Sequence, residues 1–235
     1  MALPKLETPK HSCVLPSSEE TVNFRPFLVG EQKVLLVAQE SDNTNEQISE
    51  MIRLIDICCD DIDAKSLATI DLEYLFLQLR IKSVGETADV KMECEHCKEL
   101  NKVEVQLEQT IVKEPEKIVD HIVKITESVS LDLRVPSYEI VNQVNLNDSD
   151  DPKVIFEVVA KCINTIIDGD EIHTRDDFSE KELMSFLDSM SMDMFEKVQD
   201  FFTNVKTLKI MGSYECVKCS ESNSYELIGI GNFFG

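Results

Sequence analysis

Two cysteine pairs, Cys94-Glu-His-Cys97 and Cys216-Val-Lys-Cys219, have the residue type and spacing of metal ligands. A two-residue gap lets both thiolates turn in on one cation from a tight loop. Two such loops supply the four sulfurs of a closed tetrahedral site. The expected occupant is a structural Zn²⁺ held by Cys94, Cys97, Cys216 and Cys219. The same soft ligand set holds a single iron in rubredoxin-like sites, although nothing else in the chain suggests electron transfer. Two half-sites, each completed by another chain, are a third arrangement. His96 stands between the thiolates of the first loop, where it is a poor ligand for the same ion, and reads as an exposed loop residue. Lys98 and Lys218 could offset the charge of a tetrathiolate or be ordinary solvated side chains.

Other chemistry is weakly represented. There is no Gly-x-Ser-x-Gly, no His-Glu-x-x-His and no P-loop. His11, His96, His121 and His173 do not cluster in sequence, so no catalytic residue is expected and the protein is read as a non-enzyme. The acidic runs Asp60–Asp63 and Asp168–Glu171 could suggest Ca²⁺, but neither matches an EF-hand loop and both read as solvated turns. The remaining cysteines, Cys13, Cys58, Cys59 and Cys162, lie in apolar surroundings and read as small buried hydrophobes.

A formal charge of −22 over 235 residues repels nucleic acid and anionic lipid and suits partners with basic patches. No apolar run reaches about 18 residues, so no membrane span is expected. The N-terminus lacks an apolar h-region and does not read as a signal peptide, which favours a reduced compartment and metal over disulfides. Apolar content of 43% is enough for a substantial core.

The elements that must position the cysteines follow from periodicity. Residues 1–10 read as an arm. Cys13–Leu15 and Thr21–Phe24 read as strands around Pro16-Ser-Ser-Glu, followed by Arg25-Pro26. Helical spacing is seen in Val29–Gln39, before a polar loop Ser41–Asn45. Glu46–Cys59 follows, with Ile48, Met51, Ile52, Ile55 and Cys59 on one face. Asp71 is the expected N-cap of the next helix, with Leu72, Leu75, Phe76 and Leu79 inward and Gly85 as its stop. Residues 88–107 then form the first cysteine hairpin, in which Val103, Val105 and Leu107 alternate at strand period.

A similar order begins near His121. Strands Ile122–Ile125 and Val129–Leu133 lead to Arg134-Val-Pro136, a short helix Ser137–Val144, a polar loop Asn145–Asp151, and an apolar helix Val154–Ile167. Two further helices lie in Phe178–Phe202, opened by Ser179 before Glu182 and Ser191 before Met194, and a second cysteine hairpin spans 207–228. The expected fold is therefore α+β and mostly helical. It is built from two similar halves, 11–113 and 114–235, each ending in a Cys-x-x-Cys hairpin. The two hairpins would form a zinc-ribbon-like module fixing the halves in one orientation. Phe233-Phe234, near the terminus, reads as core or as an anchor into a partner.

Val22-Asn-Phe-Arg-Pro-Phe27, Asp71-Leu-Glu-Tyr-Leu-Phe76, Leu79-Arg-Ile-Lys-Ser-Val-Gly85, Tyr214-Glu-Cys-Val-Lys-Cys219 and the ending Gly231-Asn-Phe-Phe234 are spread along nearly the whole chain. In order and spacing they resemble the T-even-type phage baseplate hub subunit and hub assembly proteins. The resemblance implies a structural or assembly role in a contractile tail, as a late product made in the cytoplasm of the infected bacterium. It implies partners among baseplate and hub proteins, with an oligomer inside the baseplate allowed, and no catalysis. A cysteine pair near the C-terminus is usual in that family; the metal reading rests on the spacing in this chain. The rival readings are a zinc-ribbon adaptor acting on host transcription and a rubredoxin-like redox carrier.

Overall fold

The computed structural model describes residues 7–33, 44–117, 120–143 and 152–229. Most of the helix expected at Val29–Gln39, the loop Asn145–Asp151 and Phe233-Phe234 lie outside the described residues, as do 41–43 of the other polar loop, whose Thr44 and Asn45 are helical. Two units emerge. The first is built from the described residues up to Ala64, from Ile70–Lys113, and from Lys206 onward; the second from Lys65–Thr69 and Glu114–Val205. The chain passes from the first unit to the second between Lys113 and Glu114, and back between Val205 and Lys206. The second cysteine hairpin belongs to the same unit as the first, not to the unit formed by the residues before it.

In the first unit, strands β1 (His11–Val14) and β2 (Thr21–Phe24) form a hairpin. Val22 and Phe24 point inward from it, as period-two alternation requires. Helix α1 (Thr44–Cys58) buries Met51, Ile52, Ile55 and Cys58. Helix α2 (Thr69–Ser83) is buried on several sides. Beyond the expected Leu72, Leu75, Phe76 and Leu79, it also covers Ile70, Leu77 and Ile81. Asp71 does not sit at its cap. It stands in the first turn, 2% exposed, where its carboxylate accepts the backbone N–H of Ser17 at 2.8 Å and also the Ser17 hydroxyl. A buried carboxylate needs such partners to remain inside, so Asp71 moors the β1–β2 turn to α2. Gly85, with φ +135°, follows the helix end as expected.

Strands β3 (Thr87–Glu93) and β4 (Leu100–Gln106) then form the first cysteine hairpin. A 3-10 turn at Leu107–Gln109 leads into β5 (Ile111–Lys113). There the chain leaves the unit. It returns as β10 (Thr207–Glu215), which pairs directly with β5 in the register Thr207↔Lys113, Leu208↔Val112 and Lys209↔Ile111. β11 (Ser222–Ile228) completes a three-stranded sheet in the order β11-β10-β5. The stretch from 114 to 205 is thus an insertion between two adjacent strands.

The second unit is an antiparallel sheet in sequence order: β6 (Ile122–Lys124), β7 (Val129–Leu133), β8 (Ile163–Asp168) and β9 (Glu171–Thr174). Its helices are α3 (Tyr138–Gln143), α4 (Pro152–Cys162), α5 (Glu180–Asp188) and α6 (Met192–Thr203). Leu131 and Leu133 pack with Val159, Ile163, Leu183, Leu187, Val198 and Phe201 into one core. Phe156 stacks on Phe195 at 4.4 Å between ring centroids. Both expected helix starts are present. Ser179 and Glu182 form a reciprocal capping box, and the Ser191 side chain accepts from the Met194 N–H.

One helix differs from expectation. The apolar run Val154–Ile167 is helical only to Cys162, and Ile163–Asp168 is a strand between β7 and β9. Ile163, Thr165, Ile166 and Ile167 are β-branched and suit a pleated surface. Asp168 pairs with Glu171 across Gly169-Asp170, with Gly169 at φ +59°, so the expected acidic helix end is a tight hairpin turn. Among the described residues helix still exceeds strand, but the sheets take a larger share than expected and neither is a majority. None of the described helices is long and apolar enough to cross a membrane.

Candidate metal centre

Each cysteine loop is made by its strands. Pairing of Glu93 with Leu100 closes β3 and β4 around the first, and pairing of Glu215 with Ser222 closes β10 and β11 around the second. The two loops repeat one another bond for bond. Cys94 N–H donates to the Glu99 carbonyl at 2.9 Å, and Cys216 N–H to the Glu221 carbonyl at 3.0 Å. The Cys94 carbonyl accepts from Lys98 N–H at 3.0 Å and the Cys216 carbonyl from Ser220 N–H at 2.9 Å. Lys98 and Ser220 take the left-handed backbone, at φ 62° and 58°, that lets the chain turn back past its second cysteine.

This turn aims the sulfurs together. Cys94 Sγ lies 3.7 Å from Cys219 Sγ, and Cys97 Sγ lies 3.5 Å from Cys216 Sγ. All four sulfurs fall within 4.8 Å of one another. A disulfide needs about 2.05 Å. A zinc–sulfur bond of about 2.3 Å sets tetrahedral sulfur–sulfur edges of about 3.8 Å, close to the two cross-hairpin distances, so the four sulfurs could serve one ion as ligands. Cys94 and Cys216 are buried, while Cys97 and Cys219 are partly exposed. All four expected ligands are thus brought together in one unit. An ion there would join an early and a late segment of that unit rather than one unit to the other.

Backbone amides of the loops point at the sulfurs. The N–H groups of Cys97 and His96 hold the Cys94 thiol below its ordinary pKa. Those of Cys219 and Lys218 lower Cys216 to about 6. Cys219 moves the other way: the Glu221 amide favours its thiolate, but burial and the neighbouring sulfurs outweigh it and push it up to about 12. Four thiolates this close cannot all ionise without a cation to offset their repulsion.

The surroundings are polar but paired. Lys218 Nζ reaches Glu99 of the other hairpin at 2.7 Å, and Lys98 meets Glu93 at 3.3 Å. Tyr214 donates its hydroxyl to the Glu93 carbonyl at 3.1 Å. His96 is exposed, as expected. The remaining histidines stand apart from the cysteines: His11 lies by the Phe24 ring, His121 beside Asp120, and His173 beside Glu171. Among the other thiols, Cys58, Cys59 and Cys162 are buried as expected, whereas Cys13 is half-buried on β1; burial raises Cys13 and Cys58 to about 11 and Cys59 and Cys162 to about 12. Sequence reasoning passed over Asn101 and Asn223, each only 3% exposed and each four residues past the second cysteine of its pair. The signal was present: Glu-Cys-x-x-Cys-x-Glu-x-Asn occurs at Glu93–Asn101 and again at Glu215–Asn223.

No curated protein and no solved structure matches the chain. The family model described as T4 bacteriophage base plate protein matches residues 8–235. A match over nearly the full length agrees with the resemblance carried by the stretches from Val22 to Cys219, and the chain belongs to the T4 bacteriophage base plate protein family.

Proposed function

We propose that this baseplate protein is a non-enzymatic scaffold of the tail hub whose two cysteine hairpins are stapled by one structural zinc ion. The observation that carries the metal half of the proposal is the sulfur geometry, with cross-hairpin distances of 3.5 and 3.7 Å. Cys94, Cys97, Cys216 and Cys219 would be the ligands. A Cys₄ set with no open position suits a structural ion, which can contribute on the order of 10 kcal/mol where the site forms only on folding. Iron suits the same ligands. A structural role in a baseplate calls for no electron transfer, so zinc is the ion we read here. Membership likewise gives no support to a host-transcription adaptor, and the −22 charge opposes contact with nucleic acid.

The scaffolding half rests on the family and on the acidic charge, which would meet basic faces of other baseplate proteins. The hub placement rests on the resemblance of the quoted stretches. We further read the chain as an internal duplication. Arg25 N–H donates to the Cys58 carbonyl at 3.0 Å, and Arg134 N–H to the Cys162 carbonyl at 2.9 Å. Phe24 pairs with Cys59 just as Leu133 pairs with Ile163. The guanidinium groups reach the carbonyls of Ile57 and Lys161, one residue earlier in each helix. These equivalences, with the two matching cysteine loops, support a shared ancestry of the halves. The hairpin formed by β8 beyond Ile163 with β9, and one of the two helices α5 and α6, would be additions to the second.

Metal analysis of the purified full chain tests the zinc, with one zinc per chain expected; a visible iron absorbance, or no metal, would refute it. Expression with the other tail proteins tests the scaffold. Recovery of this chain in a baseplate complex is expected, and its absence from both assembling and finished baseplates would refute the reading.

A further inference from the structure

The cysteine loops are held by more than their own strands. Asn101, on β4 of the first hairpin, accepts through Oδ1 the backbone N–H of Val217 in the second loop at 2.9 Å. Asn223, on β11 of the second hairpin, accepts through Oδ1 the backbone N–H of Glu95 in the first loop at 3.0 Å. The exchange is reciprocal, and in each case the N–H belongs to the residue just after the first cysteine of the pair. Each asparagine also donates Nδ2 within its own loop, to the Glu99 carbonyl at 2.8 Å and the Glu221 carbonyl at 3.0 Å.

The placement is deliberate in energetic terms. Asn101 occupies an inward position of β4, in alternation with Val103 and Val105. Packing alone would be served by another valine, and a buried amide is destabilising unless its hydrogen bonds are made. Here both the oxygen and the nitrogen are used. Asp would lose the donor and add a negative charge beside the thiolates. Gln would carry the oxygen one carbon too far.

We propose that Asn101 and Asn223 are the positioning residues of the cysteine site. Each fixes the opposite loop, so that ion affinity depends on both although neither offers the ion a ligand. This rests on reading the four cysteines as a metal site. Groups that orient metal ligands commonly matter by about ten- to a hundredfold in affinity.

The test uses the full chain with Co²⁺ and Zn²⁺ as probes. Wild-type protein should take up one Co²⁺ with strong thiolate charge-transfer absorption and tetrahedral d–d bands. Asn101→Ala and Asn223→Ala should each weaken Zn²⁺ binding, measured by competition with a chromophoric chelator, by about ten- to a hundredfold. They should also shift the Co²⁺ d–d bands while the helical circular dichroism stays unchanged. A second measurement needs no variant. Val217 is 81% exposed at a loop tip, yet its amide hydrogen should exchange slowly, as should that of Glu95. Wild-type affinity and unaltered bands in both variants would overturn the proposal while leaving the metal reading intact. Should the variants fail to fold, rapid exchange of those two amides in the wild-type protein would overturn it. Wild-type protein that takes up neither ion would remove the metal reading and this inference together.

Discussion

Cysteine is the residue at which this fold's chemistry concentrates, and its two environments differ in kind. Cys13, Cys58, Cys59 and Cys162 are pushed up by burial. At the cluster, Cys94 and Cys216 are pulled down by backbone N–H groups aimed at their sulfurs, while Cys97 and Cys219 are pushed up by burial and by the neighbouring sulfurs they face. Cys97→Ser and Cys219→Ser should therefore each cost several kcal/mol, on the order of a lost structural metal, whereas Cys162→Ala should cost only a cavity term. Thermal melting of the four proteins checks this, and equal melting of Cys97→Ser and wild type would contradict a shared site. Spacing alone made the four clustered cysteines legible. The asparagines beside them were not, because one Asn after a Cys-x-x-Cys is unremarkable until its partner is seen across the site. A second residue-scale prediction concerns Arg25 and Glu31. The Glu31 carboxylate accepts from both guanidinium nitrogens of Arg25, at 2.9 and 2.7 Å, and from Leu28 N–H at 2.6 Å. Arg25 foremost holds its pKa below the ordinary 4.5. A lowered carboxylate contributes stability that is complete above its unfolded pKa and lost as pH falls through the folded value. Glu31→Gln should thus cost about 1–2 kcal/mol at neutral pH and flatten the fall of melting temperature below pH 4.5. An unchanged acid limb would refute the assignment.

At the scale of single elements, patterns read reliably where one face or one turn decides, and fail where tertiary pairing decides. The hairpins at Thr87–Gln106 and Thr207–Ile228 and the capped helices α5 and α6 were legible from alternation and from Ser179 and Ser191. Ile163–Asp168 was misread as helix because its isoleucines continue the apolar spacing of α4. Only the ladder with Val129–Leu133 reveals it as a strand. Asp71 was misplaced for a related reason: its partner, Ser17, is distant in sequence. Ser17→Ala should leave the buried carboxylate with one bond fewer and cost about 1–3 kcal/mol in chemical denaturation; no measurable loss would show that the mooring is idle. In the second cysteine hairpin, Gly212 faces Tyr225 across the ladder, and a Cβ there would lie 2.5 Å from the ring's Cζ. Gly212→Ala should force the ring off the strand and cost about 1–3 kcal/mol. The same change in a Tyr225→Ser background should cost little, a double-mutant cycle that fails if the two losses simply add.

For the whole molecule, the governing fact is that residues 114–205 are inserted between the paired strands β5 and β10. Sequence order suggested two consecutive halves, and nothing local to Thr207–Lys209 says that its partner strand is Ile111–Lys113. Because both cysteine loops lie in the first unit, chelation should speed amide exchange in β3, β4, β10 and β11 while leaving the Leu131–Phe201 core of the second unit protected. Uniform loosening of both units would count against the staple. The insertion also sets an order of events during synthesis. Cys97 and Cys216 are 119 positions apart. A ribosome releases the first loop as an open two-thiol claw that waits while the entire inserted unit is made and can fold on its own contacts. Only once Cys216 and Cys219 emerge could the claw close, so a chain stopped within the inserted unit would lack half of its clasp, and any zinc held by the four cysteines would report that the second loop had been made.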